Sequence, residues 1–160
     1  MSSTGNVGSF VALSSSNDDR HPPECISDRN PDTYWATTGL FPQEVVITLP
    51  SLTNLTGVTI KSTNVRKLSL ERSKENGPTE FHPITDKELE SKEGHLQVEE
   101  FRLKSPVETK HLKLILQEGY GHFAFVYSSF PIDQLQNHEN LCGHKKVPFL
   151  VCTEVCAHVL

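Results

Sequence analysis

The stretch His21-Pro22-Pro23-Glu24-Cys25-Ile26-Ser27-Asp28-Arg29-Asn30-Pro31-Asp32-Thr33-Tyr34-Trp35-Ala36-Thr37-Thr38-Gly39 decides how the rest of the chain is read. Pro22 and Pro23 remove backbone donors and fix φ, and the cluster from Asp28 to Asp32 favours turns through side-chain hydrogen bonds to its own backbone. Neither a regular helix nor a regular strand accommodates that combination throughout. Holding it in one shape takes an apolar anchor, and Trp35, the only tryptophan in the chain, offers the surface to do so. The stretch is expected to be an ordered, oxygen-rich loop pinned by a buried Trp35. Within it, Pro23 to Asp28 is expected to make one helical turn that starts on a proline, where a missing N–H costs little.

Working outward, the chain alternates short β-prone runs with turn residues. Ser9 to Leu13 leads into the loop as a first strand. After it, Val45 to Leu49 is expected to end at Pro50, and Leu55 to Ser62 to form a separate strand after a Ser/Thr/Asn break. Val65 to Glu71 places Leu68 and Leu70 on one face. Asn76-Gly77-Pro78 is a turn signal. Phe81 to Ile84 carries Pro83, which assigns it to a sheet edge or a bulge, and Lys87 to Glu93 reads as charged loop. His95 to Lys104 shows no clean apolar face, which predicts a bulge or a switch of buried face within it. His111 to Gln117 alternates strictly through Leu112, Leu114 and Leu116, and Phe123 to Tyr127 is the last strand. Some eight short strands without a long amphipathic helix predict an all-β sandwich, most simply a jelly roll.

Length and composition bound the function. At 160 residues the chain suits one domain. A formal charge of −5 argues against a general binder of phosphate backbones. No apolar run is long enough to span a bilayer, and the polar N-terminus lacks a secretory leader pattern, so no membrane insertion and a cytosolic or ciliary compartment are expected. Of the four cysteines, Cys25 stands alone while Cys142, Cys152 and Cys156 gather near the end, which is not a disulfide framework.

The run His21-Pro22-Pro23-Glu24, with Ile26, Asp28, Asn30-Pro31, Thr33, Trp35, Thr37-Thr38-Gly39 and Phe41-Pro42-Gln43-Glu44, resembles the intraflagellar transport protein 25 family. The looser Ile-x-Asp-x-Asn-Pro-x-Thr-x-Trp pattern is shared across discoidin (galactose-binding-like) domains, and the flanking pieces narrow it. Gly94-His95-Leu96-Gln97, Glu99-Glu100 and His122-Phe123-Ala124 extend the resemblance, which stops beyond Ser128. It implies a discoidin-like jelly-roll β-sandwich over residues 9–132, preceded by a flexible start (1–8) and followed by a divergent tail (133–160). It further implies a non-catalytic subunit of the intraflagellar transport particle B complex that forms a heterodimer with a Rab-like small GTPase subunit and meets other particle subunits. Transport of hedgehog (smoothened) signalling components would follow, in the cilium, the cytoplasm and the centrosome or basal-body region. The family is also catalogued with small heat shock proteins, but no α-crystallin-type signature accompanies that label here.

Three kinds of chemistry are weighed against this. Asp28, Asn30, Asp32 and Thr33 offer hard oxygens within one turn, as Ca²⁺ requires; the same residues also serve simply as turn caps. In the family resembled, the calcium positions fall on Cys25, Asp28 and Thr33, with Cys25 expected to contribute its carbonyl because a thiolate is too soft. Two departures accompany this: Arg29 stands where the family loop commonly carries glycine, and Ile132 takes the place of a last-strand glutamate, leaving Asp133 one residue out of phase. A calcium-dependent lectin-like carbohydrate-binding module is the alternative function, with Tyr34, Phe41 and Tyr120 as stacking candidates. Catalysis is not expected: the eight histidines stand in no hydrolase or metalloprotease pattern, and His21, His82, His95, His111 and His122 read as solvent-facing or capping. In the tail, Cys142, His144, Cys152, Cys156 and His158 could ligate zinc but at no standard spacing.

Overall fold

The computed structural model describes residues 8–133. Seven antiparallel strands form it: β1 (Phe10–Ser14), β2 (Trp35–Ala36), β3 (Gln43–Thr63), β4 (Val65–Ser73), β5 (His82–Glu88), β6 (Gln97–Gly119) and β7 (Phe125–Asp133). A single 3-10 turn spans Pro23–Ile26 with Pro at its start, as the loop sequence predicts. The side chains of 128–133 and everything beyond lie outside the described residues, and with them the tail, Cys142, His144, Cys152, Cys156 and His158.

Two strands are far longer than the sequence suggests. Residues 45–49 and 55–62 belong to one strand, β3, and residues 97–104 and 111–117 to another, β6. Pro50 does not end β3. It lacks only an N–H, its φ is compatible with extended backbone, and the ladder with β6 simply skips from Thr48 to Thr53. Lys110 fills the gap by donating from Nζ to the carbonyls of Leu49 (3.0 Å) and Pro50 (3.2 Å).

Because β3 and β6 pass this irregular corner together, each serves two layers. In the first layer, residues 43–48 of β3 pair with β1 on one side and with 111–116 of β6 on the other, and β6 then pairs with β4 and β4 with β5. In the second layer, residues 57–62 of β3 pair with 97–102 of β6 and with β7, which carries β2. Val45, Ile47, Leu68, Leu70, Leu114 and Leu116 from the first layer, and Leu55, Val58, Ile60, Phe101 and Val126 from the second, share one buried core. That is a sandwich, its two sheets joined through the long strands.

The reading of residues 95–104 is corrected. Gln97, Glu99, Phe101 and Leu103 turn inward and Val98, Glu100, Arg102 and Lys104 outward, in regular alternation. The segment pairs without a break against Ser62 to Gly57; the irregularity lies after it, between Arg102 and Val107. The pattern looked confused because inward Gln97 is polar and outward Val98 is apolar. Gln97 is 2% exposed and fully bonded: its Oε1 accepts the Val65 N–H (3.0 Å), and its Nε2 donates to the carbonyls of Val65 (2.8 Å) and Glu90 (2.9 Å). Pro83 does mark a register shift, on β5, which pairs only with β4. The loop expected from Lys87 begins two residues later, after Glu88, and β7 begins at Phe125 rather than Phe123 and runs on to Asp133.

Candidate functional site: the opening loop

Residues 15–42 cross one end of the sandwich, and Trp35 holds them. Its ring is fully buried, and its Nε1 donates to the Ser16 carbonyl at 3.0 Å. Two polar residues that the sequence did not single out complete the mooring. Ser16 Oγ donates to Gln43 Oε1 and accepts the Thr38 N–H (3.1 Å); Gln43 also accepts from Ser15 Oγ (2.7 Å) and donates to the Leu40 carbonyl (2.6 Å). Thr37 and Ala124 then exchange two bonds, N–H to carbonyl and N–H to Oγ1, both at 3.0 Å. Gln43 stood in the motif Phe41-Pro42-Gln43-Glu44, but a buried glutamine bracing a loop leaves no periodic trace in sequence.

The turn cluster does what its composition predicts. Asp18 Oδ1 accepts the Arg20 N–H (2.7 Å), Asp28 Oδ1 that of Asn30 (2.8 Å), and Asn30 Oδ1 that of Asp32 (3.0 Å). Thr33 Oγ1 donates to Asp28 Oδ2 at 2.6 Å and lies 3.1 Å from the Asn30 carbonyl. Arg29 has φ +62°, in the left-handed region that glycine adopts without strain. At the loop's base His21 stacks on Tyr34, ring centroids 4.0 Å apart, and Tyr34 meets Phe125 and Tyr127.

The three candidate metal positions come together. Burial pushes the Cys25 thiol up, the Asp28 charge adds to this, and the Thr33 hydroxyl bonded to the sulfur opposes it. A sulfur ligand is soft and poorly matched to Ca²⁺, so for that ion the Cys25 carbonyl is the group that could serve. The remaining donors are one carboxylate, one hydroxyl and backbone oxygens, a set that suits Ca²⁺ and not zinc. Among the described residues no group of three His, Cys, Asp or Glu side chains gathers that could hold a metal. Ca²⁺ here would therefore rely on a single carboxylate, that of Asp28, and otherwise on neutral oxygens. Ile132 and Asp133 stand opposite Gly57 and Leu55 in the β7 register.

The other candidates have structural places. Phe41 packs against the core and over Gly119, and Tyr120 donates from its hydroxyl to the Leu89 carbonyl at 2.7 Å. His111 corrects its solvent-facing reading: it is 3% exposed and bridges Thr48 Oγ1 (2.8 Å) and the Asn76 carbonyl (3.2 Å). An open cleft of about 210 Å³ between β1 and the 3-10 turn is lined by Val11 to Ser14, Asn17, Pro23 and Glu24.

Residues 11–127, most of this sandwich, match the F5/8 type C domain. The chain is 40% identical over 121 residues to the intraflagellar transport protein 25 homolog of Homo sapiens, covering 76% of this chain and 83% of that protein. It belongs to the intraflagellar transport protein 25 family. The Chlamydomonas reinhardtii intraflagellar transport protein 25 is 39% identical over 119 residues, which are 74% of this chain but only 62% of that protein's length. Among solved structures, the fold of this family member is similar to a family 32 carbohydrate-binding module of C. perfringens NanJ in complex with galactose (TM-score 0.67, 17% identity, 77% of this chain and 92% of that one). It is equally similar to a chitosan-binding module from Paenibacillus (TM-score 0.66, 13% identity, 75% and 92%). At such identities these neighbours establish the discoidin-like fold and nothing further.

Proposed function

We propose that this chain is a non-catalytic subunit of the intraflagellar transport particle B complex, binding a Rab-like small GTPase subunit and supporting ciliary transport of hedgehog signalling components. The observation that carries this reading is the identity of about 40% to proteins named for intraflagellar transport, sustained over most of the sandwich. The cilium, the cytoplasm and the basal-body region are its places of work, with other particle B subunits as further partners. His21 and His111 are engaged in a stacking and a bracing contact, which suits a structural role for them rather than chemistry. Co-purification of the full chain with the GTPase subunit from ciliated cells tests the assignment. Retention on a glycan resin in calcium, with no GTPase recovered, would sink it.

We also propose a structural Ca²⁺ held by the Cys25 carbonyl, the Asp28 carboxylate and the Thr33 hydroxyl, supported by the convergence of these groups on one exposed turn. Its role would be to stiffen the loop, with no part in a reaction. Asp28→Ala is expected to abolish a calcium-dependent rise in melting temperature. A parent protein that melts at one temperature with and without calcium removes the site.

A further inference from the structure

Asn76-Gly77, the turn signal between β4 and β5, is the one Asn-Gly pair in the chain. Such a pair carries a latent reaction, because glycine's missing side chain leaves its amide nitrogen free to reach the Cγ of the asparagine before it. A fold suppresses the reaction when it ties up that N–H or fixes the backbone in a ladder. Here it does neither. Asn76 is exposed and lies in a bend outside both strands. Among the described residues the Gly77 N–H and the Asn76 side-chain amide have no hydrogen-bond partner, and a Cβ placed on Gly77 would meet nothing within 4 Å. By contrast, Asn30 precedes Pro31, which has no N–H, and the Val65 N–H that follows Asn64 is bonded to Gln97 Oε1 at 3.0 Å.

The fold also supplies a donor where the reaction develops charge. His111 is buried and sets its Nε2 3.2 Å from the Asn76 main-chain oxygen. A carbonyl can only accept, so Nε2 donates. When the Gly77 nitrogen gives up its proton, amide resonance places much of the negative charge on that oxygen, and a preorganised donor there stabilises it. The bond between Nδ1 and Thr48 Oγ1 (2.8 Å) holds the ring in place. His111 itself transfers no proton.

We propose that Asn76-Gly77 is a self-modification site that converts to isoaspartate. The Gly77 nitrogen, its proton lost to water, bonds to Asn76 Cγ; the Cγ–Nδ2 bond breaks, the leaving nitrogen takes a proton back from water and departs as ammonia, and a succinimide closes. Water then opens the ring. Addition at the main-chain carbonyl, the one that His111 polarises, breaks its bond to the Gly77 nitrogen and leaves the backbone running through Cγ as isoaspartate, with a free carboxylate where the carbonyl stood. Addition at Cγ gives aspartate instead. Water is the only co-reactant. The class of enzyme that would act on the product is a protein carboxyl methyltransferase specific for isoaspartate.

The test ages the full-length chain at neutral pH and follows it by peptide mass spectrometry, with isoaspartate counted by methyl transfer from labelled S-adenosylmethionine, an isoaspartyl methyltransferase serving as the probe. Asn76 is expected to lose ammonia about tenfold or more faster than Asn17, Asn54 and Asn64. It should also react at least as fast as in a free peptide spanning Arg72 to Phe81, and with a larger share of isoaspartate. Gly77→Ala should melt as the parent does, since Gly77 lies outside the left-handed region and has open space around it, and should slow the reaction by about tenfold. Replacing His111 would also remove the brace on Thr48, so the comparison of folded chain with free peptide tests its donor. If Asn76 reacts no faster than the other asparagines, or Gly77→Ala reacts at the parent's rate, the site is wrong. A folded chain slower than the peptide, or one yielding no extra isoaspartate, overturns the part given to His111 and with it the claim that the fold promotes the reaction.

Discussion

The two outward faces of the sandwich are built from the same two long strands and end in opposite states. On the first layer three polar side chains find partners: Lys113 pairs with Glu71 (3.2 Å) and lies over the Phe81 ring, Gln117 donates to Ser69 Oγ (2.7 Å), and His111 bridges Thr48 and the Asn76 carbonyl. Asn76 and Phe81 come from the excursion between β4 and β5, which folds back as a cover. On the second layer Thr63 Oγ1 is buried without a hydrogen-bond partner, Lys61 joins no ion pair among the described residues, and Val98 and Leu96 are exposed.

The comparison can be broken at several points. The largest expected effect is on the second layer's support: Trp35→Ala should cost about 3–5 kcal/mol, the range for deleting a buried aromatic. It should loosen the loop and β2 together, read by denaturant unfolding and by faster amide exchange at Ala36 and Thr37. A smaller loss, about 1 kcal/mol or less, is expected for Lys113→Ala on the first layer, since its pair with Glu71 is largely but not fully buried. A loss well above that would mean that the pair is worth more than its partial exposure allows. The smallest effect is a gain: Arg29→Gly, relieving a φ of +62°, should stabilise the free chain by up to about 1 kcal/mol, because the relief of the left-handed strain is partly offset by glycine's greater unfolded-state freedom. An unchanged or lower melting point would mean that Arg29 makes contacts worth as much as the strain.

Much of the opening loop was legible because its determinants are local. Proline, Asx turns and a lone tryptophan act within a few residues, so the helical turn, the Asp28 and Asn30 bonds and the buried anchor follow from composition. The strand boundaries were less so. Pro50 and the charged run after Arg102 look like ends, yet both strands continue, because Lys110 supplies at the corner the partners the ladder omits. The bracing roles of Ser16, Gln43 and Gln97 were invisible for a related reason: Ser16 and Gln43 bond each other, and Gln97 bonds Val65, across long stretches of sequence, so no spacing announces them.

By itself, then, the sequence determined the all-β class and the shape of the loop from His21 to Gly39, since periodicity and turn chemistry are short-range properties of the chain, and its motifs carried the resemblance to the family. Only the tertiary structure decided that four expected strands are two, which sheet face each polar residue occupies, and which of those residues finds a partner. Those outcomes depend on long-range register. Lys61 and Lys113 are both lysines in alternating strands, and only the pairing of β3, β4 and β6 places one beside Glu71 and leaves the other facing Val98.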